Sequence, residues 1–259
     1  MKKVAVIGSG IAGISTCHYL KKLGYEVSLF ESGDHFGGHT HTHQITLDEQ
    51  TFPVDTGFLV HNDRTYPNLI NFFEELGIEA HESDMSFSVF APKENLMWAG
   101  TNLFTVFGQL KNLISPRFFF FVKEILRFNK KSEEYLKQAQ EFEGYSLGDL
   151  LSQENYSDDF KYWYLLPMGG CIWSTPTDKM LEFPAHSFLR FCMNHGLLQV
   201  TNRPQWKTVV GGCSTYVTKV LETVDHKYLG EGADQVIPND DGVTVTTTKG
   251  NNFHFDACF

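Results

Sequence analysis

What this 259-residue sequence has little of narrows its class before any motif is read. Its five cysteines, Cys17, Cys171, Cys192, Cys213 and Cys258, are an odd number and form no Cys-x-x-Cys pair. That excludes a disulfide framework and a cysteine-built zinc site, and it points to a reducing, cytoplasmic setting. Long apolar runs are missing too. The longest aromatic stretch, Phe118 to Val122, falls far short of the roughly 20 apolar residues of a membrane span. Two lysines ahead of the first apolar run do not make a signal peptide. Basic charge is scarce: 21 Lys and Arg face 31 Asp and Glu, a formal net charge of −10, which excludes a nucleic-acid binder with its basic stripe. There are no internal repeats and no low-complexity linker. No Ser/His/Asp order and no carboxylate pair has an interpretable spacing, so no catalytic side chain is assigned.

The informative stretch is Met1 to Thr40. Lys3-Val4-Ala5-Val6-Ile7 reads as a strand, Gly8-Ser9-Gly10-Ile11-Ala12-Gly13 as a glycine loop, and Ile14 to Leu23 as a helix starting near Ile11. Glu26 to Phe30 is a second strand, and it ends on Glu31. This is the dinucleotide-binding βαβ fingerprint in its expected context. Gly8 permits the tight turn, Gly10 lets a pyrophosphate approach the backbone, and Gly13 lets the helix pack close to the sheet. The pyrophosphate sits on the helix N-terminus. Glu31 lies 18 residues past Gly13, near the roughly 20-residue offset at which an acid receives ribose hydroxyls.

Downstream, Ile45 to Leu47 and Phe52 to Val54 read as a hairpin about Asp48-Glu49-Gln50. Pro67 opens a helix with an apolar stripe of Leu69, Phe72, Phe73 and Leu76, closed by Gly77. Met85 to Val89 alternates as a strand, and Leu96 to Trp98 pairs with it. From Leu103 to His195 the pattern is mainly helical, with a helix from Ser115-Pro116 to about Gln140 and a capping box at Ser146-Leu147-Gly148-Asp149. Another helix begins at Pro184 and stops at Gly196. Strand character returns at Gln205 to Val210, a helix at Ser214 to Thr223, and a hairpin of Val243 to Thr248 with Asn252 to Phe259. With no cap or turn after Phe259, the chain reads as cut short.

Gly37-Gly38, shortly after Glu31, has no use in an NAD site. The stretch Glu31 to Thr40 resembles the flavin-containing amine oxidase superfamily, which implies FAD. Asp55-Thr56-Gly57-Phe58, Arg64-Thr65-Tyr66-Pro67-Asn68-Leu69, Leu166-Pro167-Met168-Gly169-Gly170-Cys171-Ile172-Trp173-Ser174-Thr175-Pro176 and Arg203-Pro204-Gln205-Trp206 sharpen the likeness. They resemble a bacterial subgroup known as predicted NAD/FAD-binding proteins, similar to the N-terminal flavoprotein unit of plant cyclopropane fatty acid synthases.

The resemblance implies an α/β fold: a Rossmann-like FAD-binding domain of the glutathione-reductase or amine-oxidase type, with an inserted, mainly helical cap. The FAD domain would be residues 1–61 and 205–259, incomplete at its C-terminus, and the cap or substrate domain residues 62–204. It places Gly8, Ser9, Gly10, Ile11, Ala12 and Gly13 on the pyrophosphate, Glu31 on the ribose, and Ser32 and Val236 by the adenine. Gly38, His39 and Thr40 fall where amine oxidases carry Gly-Gly-Arg-Thr, and an imidazole at His39 contacts phosphate more weakly than a guanidinium. Gly57 and Phe58 match the segment passing the isoalloxazine.

The implied activity is an FAD-dependent oxidoreductase passing hydride from a substrate C–H to flavin, with a fatty acyl chain or an amine as substrate. A redox-neutral flavin mutase or isomerase and a non-catalytic lipid-binding protein on the same fold are the alternatives. His39, His41 and His43, with His35 and His61 nearby, lack a spaced carboxylate or cysteine to complete a metal site, so no metal is assigned. Phe118 to Phe121 rings a helix with aromatics, which reads as core, as an acyl tunnel or membrane-facing mouth, or as a partner interface. Trp173-Ser174-Thr175-Pro176 reads equally as a capping turn and as a substrate wall.

Overall fold

The computed structural model describes residues 2–142, 144–199 and 203–259. The chain divides into two compact units, Met1–Ser83 with Gln205–Phe259 and Asp84–Pro204. Residues 62–83 therefore go with the first unit, whereas the sequence pattern puts the crossing at 61/62. The reason is packing: Phe72 and Phe73 share a core with Ile14, Val209 and Tyr216.

In the first unit β1 (Lys3–Ile7), α1 (Ile11–Lys22) and β2 (Glu26–Glu31) follow the expected order. β1 and β2 are parallel, with Lys3 opposite Glu26 and Ile7 opposite Phe30. Val4, Ala5, Val6, Val27, Leu29 and Phe30 are buried on both faces, as continuous apolar strands of a parallel sheet are. α1 buries Ile14, Cys17 and Leu20, spaced three apart along one face. β3 (Thr42–Leu47) and β4 (Gln50–Asp55) form a hairpin. Its turn is the two residues Asp48 and Glu49, both at positive φ, so Gln50 is already strand, opposite Leu47. β5 (His61–Asn62), α2 (Pro67–Leu76) and β6 (Ala80–Ser83) follow. α2 has proline in its first turn and the left-handed Gly77 as its stop.

The second unit opens with the antiparallel pair β7 (Ser88–Ala91) and β8 (Leu96–Ala99). Then come α3 (Leu103–Val106), a 3-10 turn (Leu110–Ile114) and the 26-residue α4 (Pro116–Glu141). The Ser115 hydroxyl caps α4 by accepting from Phe118 N–H at 3.2 Å. α4 buries Phe118, Phe121, Phe128 and Tyr135 but leaves Phe119 and Phe120 exposed, so the aromatic ring around its start is only half core. α5 (Leu147–Gln153) carries the expected box, with Ser146 and Asp149 bonded reciprocally. α6 (Asp158–Phe160), a π-helical turn (Lys161–Leu165), α7 (Leu166–Trp173) and α8 (Ala185–Asn194) complete the unit. Ser174 caps α7 in the left-handed region and Thr175 N–H reaches Gly170 O at 3.1 Å, so Trp173-Ser174-Thr175-Pro176 forms a capping turn.

The chain then returns to the first unit. β9 (Trp206–Val209) pairs antiparallel with β5 and β6, and α9 (Ser214–Leu221) packs beside α1. β10 (His226–Leu229) is parallel to β2; β11 (Ala233–Asn239), β12 (Gly242–Thr247) and β13 (Asn252–Phe255) form an antiparallel sheet; β14 (Ala257–Cys258) is parallel to β1. Among the described residues the parallel sheet runs β10-β2-β1-β14. The last alternating stretch is thus two strands rather than one. Asp256 breaks it, accepting Lys3 N–H at 2.6 Å on its carboxylate and donating its own N–H to Lys3 O at 2.8 Å. Among the described residues no helix is long and apolar enough to cross a membrane.

Candidate functional site

The loop from β1 into α1 is shaped by two glycines and left open at a third. Gly8 has φ +87°, which a side chain rarely adopts. A Cβ on Gly13 would stand 1.8 Å from the Gly8 carbonyl oxygen, so helix and turn can touch only if residue 13 has none. Gly10 is different. It has ordinary φ, and a Cβ there would meet no protein atom within 4 Å. α1 starts as Ile14 N–H donates to Gly10 O at 2.9 Å, which leaves the N–H groups of Ile11, Ala12 and Gly13 without helical acceptors. The result is an open backbone surface at the positive end of a 12-residue helix.

Glu31, at the end of β2, folds back onto this loop. Its Oε2 accepts Ser9 N–H at 2.9 Å and the Ser9 hydroxyl at 2.5 Å, while Oε1 accepts Gly33 N–H at 2.8 Å. Partial burial works against the Glu31 charge, but the Ser9 and Gly33 hydrogen bonds outweigh it and hold the carboxyl below its usual range. Ser9 is completely buried, and its hydroxyl also accepts Gly37 N–H at 3.0 Å. The side chain and N–H of Ser9 are therefore both spent on struts that tie β1, β2 and the Gly37-Gly38 corner together. Gly38 lies against the loop itself: a Cβ there would come 3.0 Å from Gly10 Cα, at φ +59°. The glycine pair, the acid and the glycine loop are one assembly.

Beyond the corner the chain is fastened to α9. Thr40 is buried, with its hydroxyl 2.6 Å from Tyr216 OH. His39 is exposed; its carbonyl accepts Phe58 N–H at 3.1 Å, and a Cβ on Gly57 would stand 1.9 Å from that same oxygen. Residue 57 is thus glycine because two backbone segments cross there. Sequence reasoning overlooked the groups that hold this crossing. Asp55 accepts Cys213 N–H at 3.0 Å on both carboxylate oxygens and the Thr42 hydroxyl on one, and Thr42 Oγ1 accepts Ser214 N–H at 2.9 Å. Together they cap α9 from more than 150 residues away in sequence. The only local signal was the acid ahead of Thr56-Gly57.

Ser32 and Val236 lie on neighbouring segments. Ser32 sits beside Gly232, where a Cβ would come within 2.8 Å of its own Cβ, and Glu231 N–H donates to Glu31 O at 2.8 Å. Val236 is an exposed residue of β11, opposite Val245.

Three of the histidines form a column. His35 stacks on His41 with ring centroids 3.8 Å apart, and His41 meets His43 at 4.0 Å. The Asp34 carboxylate, 2.9 Å from His35 Nδ1, raises the His35 pKa, whereas desolvation and then its two imidazole neighbours lower that of His41. His61 stands apart, buried in β5 against Phe73. Among the described residues no three His, Cys, Asp or Glu side chains are placed to hold a metal ion. Burial pushes the thiols of Cys17, Cys192 and Cys213 up to about 12, so these cysteines serve packing rather than nucleophilic chemistry.

Residues 6–76 match a family model described as an NAD(P)-binding Rossmann-like domain. A solved cyclohexylamine oxidase from Brevibacterium oxydans IH-35A superposes with TM-score 0.72 at 17% identity, covering 99% of this chain and 57% of that one. This is the amine-oxidase fold. In sequence, the chain is 26% identical to polyamine oxidase 3 of Oryza sativa subsp. japonica over 257 residues, 97% of this chain and 49% of that enzyme. Over 44 residues, 17% of this chain and 9% of the other, it is 46% identical to a flavin-dependent L-tryptophan oxidase of Lentzea aerocolonigenes. The chain spans about half the length of the rice relative it matches end to end.

Proposed function

We propose that this chain carries the cofactor-binding part of an FAD-dependent oxidoreductase of the amine oxidase type, with Met1–Ser83 and Gln205–Phe259 as its cofactor unit and Asp84–Pro204 as its substrate unit. The observation that carries the reading is the contrast within the glycine loop. Gly8, by its positive φ, and Gly13, by its contact with the Gly8 oxygen, are glycine for the protein's own geometry, but Gly10 has ordinary φ and faces open space at the helix N-terminus. Beside it stand free helix N–H groups suited to a diphosphate, and an acid kept ionised by its neighbours.

In this reading Gly8, Gly10, Ile11, Ala12 and Gly13 line the pyrophosphate, and Glu31 takes the ribose hydroxyls through the acceptor capacity its present bonds leave free. Ser32 and Val236 flank the adenine, Gly38 and His39 border the phosphates, and Gly57 and Phe58 face the isoalloxazine. Ser9 and Thr40 act differently from what the resemblance implied. Their hydroxyls are engaged with Glu31, Gly37 and Tyr216, so they position the loop rather than touch the cofactor. Bound there, FAD supplies the hydride acceptor for oxidation of a substrate C–H.

The test is titration of FAD fluorescence with wild type and Gly10→Val. Wild type is expected to bind FAD, and the variant to bind at least roughly tenfold more weakly with its melting temperature unchanged. Equal binding by both proteins, or none by either, sinks the reading. Anaerobic reduction of the bound flavin by amines or by acyl lipids then decides the substrate class. Binding without reduction by either favours a redox-neutral isomerase.

A further inference from the structure

One part of the second unit is apolar and exposed in a way its own core does not explain. In the α3 to α4 stretch, Leu103 is 76% exposed, Phe104 91%, Leu110 82% and Ile114 83%, and Phe119 and Phe120 at the start of α4 are about half exposed. Single exposed apolar residues are ordinary, but a consecutive set of this size is not. The stretch is held in place: Phe107 packs against Phe118 and Phe119, and the Asn102 side chain caps α3.

The charge around it is equally unusual. From Asn95 to Lys123 there are three basic residues, Lys111, Arg117 and Lys123, and no acidic one, in a chain of formal net charge −10. Arg117 is paired with Asp159, while Lys111 bonds only the neutral Asn95 carbonyl and Lys123 has no carboxylate partner among the described residues. Another exposed apolar element, the β3–β4 hairpin with Leu47 and Phe52, carries Asp48 and Glu49 at its tip and so has the opposite sign.

From this we propose that the Leu103–Phe120 surface seats the protein on an anionic lipid bilayer, lying in the interface rather than spanning it. Bulky aliphatic and phenyl side chains flanked by lysines are the composition of interfacial anchors, and the acids near this surface, Glu94 and Asp159, stand beside Arg117 at its margin. Lysine stems lie along the apolar layer while their ammonium groups reach lipid phosphates. A protein partner would favour Arg over Lys at such a site. Among the described residues no helix is long and apolar enough to span instead.

The experiment is sedimentation of the purified chain with vesicles of phosphatidylcholine alone and of phosphatidylcholine with phosphatidylglycerol, at low and high salt, alongside analytical ultracentrifugation without lipid. Wild type should bind the phosphatidylglycerol vesicles in a salt-sensitive way. Phe104→Asp and Ile114→Asp should each weaken binding about tenfold or more, and Lys111→Glu about fivefold or more. Because these positions are exposed, circular dichroism melting should be unchanged in all three variants. Failure to bind the anionic vesicles, or equal binding to both compositions, overturns the proposal. So does a self-associated wild type that Ile114→Asp converts to monomer while vesicles leave the protein in solution.

Discussion

The two units reach a buried interior by different means. The first packs Val4, Val6, Val27, Leu29 and Val209 with Ile14 of α1 and Val217 of α9, and its shape is decided at the backbone by glycines at crossings and polar side chains that cap helices from afar. The second is decided by bulk. Trp98, Phe118, Phe121, Phe128, Tyr135, Tyr156, Phe160, Trp163, Tyr164 and Phe188 fill one cluster, with rings meeting edge to face or tilted and Tyr156 stacked on Phe160. Precise backbone approach suits a surface meant to meet a ligand, because open N–H groups must be held without side chains. A large aromatic interior asks only that volumes fit, and tolerates surface variation.

The comparison can be broken most forcefully at one residue in each unit. Phe128→Ala should cost about 3–5 kcal/mol, the usual price of emptying a buried aromatic site, read as a drop in urea midpoint. Gly13→Val should destabilise by a similar amount, because a side chain 1.8 Å from the Gly8 oxygen forces α1 off the sheet. If Gly13→Val were silent, the claim that backbone contact governs the first unit would fail.

A milder loss is expected for Ser9→Ala, about 1–3 kcal/mol, since the buried Gly37 N–H loses its acceptor. Glu31→Gln probes the same node with a definite pH dependence. Because the folded carboxyl titrates below its usual range, the stability it contributes is full above the ordinary Glu range and fades as pH falls through the folded value. The melting temperatures of wild type and Glu31→Gln should therefore differ at pH 7 and converge toward pH 3. A constant gap would show that the Ser9 and Gly33 bonds do not depend on the charge.

Gly10→Ala is the counterpart, with stability within about 0.5 kcal/mol of wild type or slightly above it, since residue 10 has ordinary φ and free space. The smallest effect lies in the histidine column. Proton NMR titration should place His35 above the ordinary histidine value, through Asp34, and His41 below it, through desolvation and the neighbouring rings. Equal titration of the two would contradict the stacking at 3.8 Å.

How much could be read in advance followed the range of the interaction. β1, α1 and β2, the proline-started α2, the Ser146 capping box and the start of α4 at Pro116 were legible because their causes are local: apolar period, a cap, a proline. β10 was not, since His226-Lys227-Tyr228-Leu229 has no alternation and is a strand only because it pairs with β2 and stacks Tyr228 on Phe30. Nor was the break at Asp256, which exists to bond Lys3, 253 residues away.

By itself the sequence determined that a strand, a glycine turn, a helix and a second strand ending in an acid would form at the N-terminus, and that a mainly helical stretch would interrupt the strand-rich parts. Patterns of period two and 3.6, with glycine and proline as punctuation, act within a few residues and need no partner. Tertiary structure alone decided which glycines the protein's own packing requires and which face open space. It also decided that Ser9 and Thr40 brace the loop rather than face outward, and that Asp55 and Thr42 cap a helix far along the chain. Those roles depend on which backbone atoms meet, and that is settled only when distant segments pack and every buried polar group must find its partner.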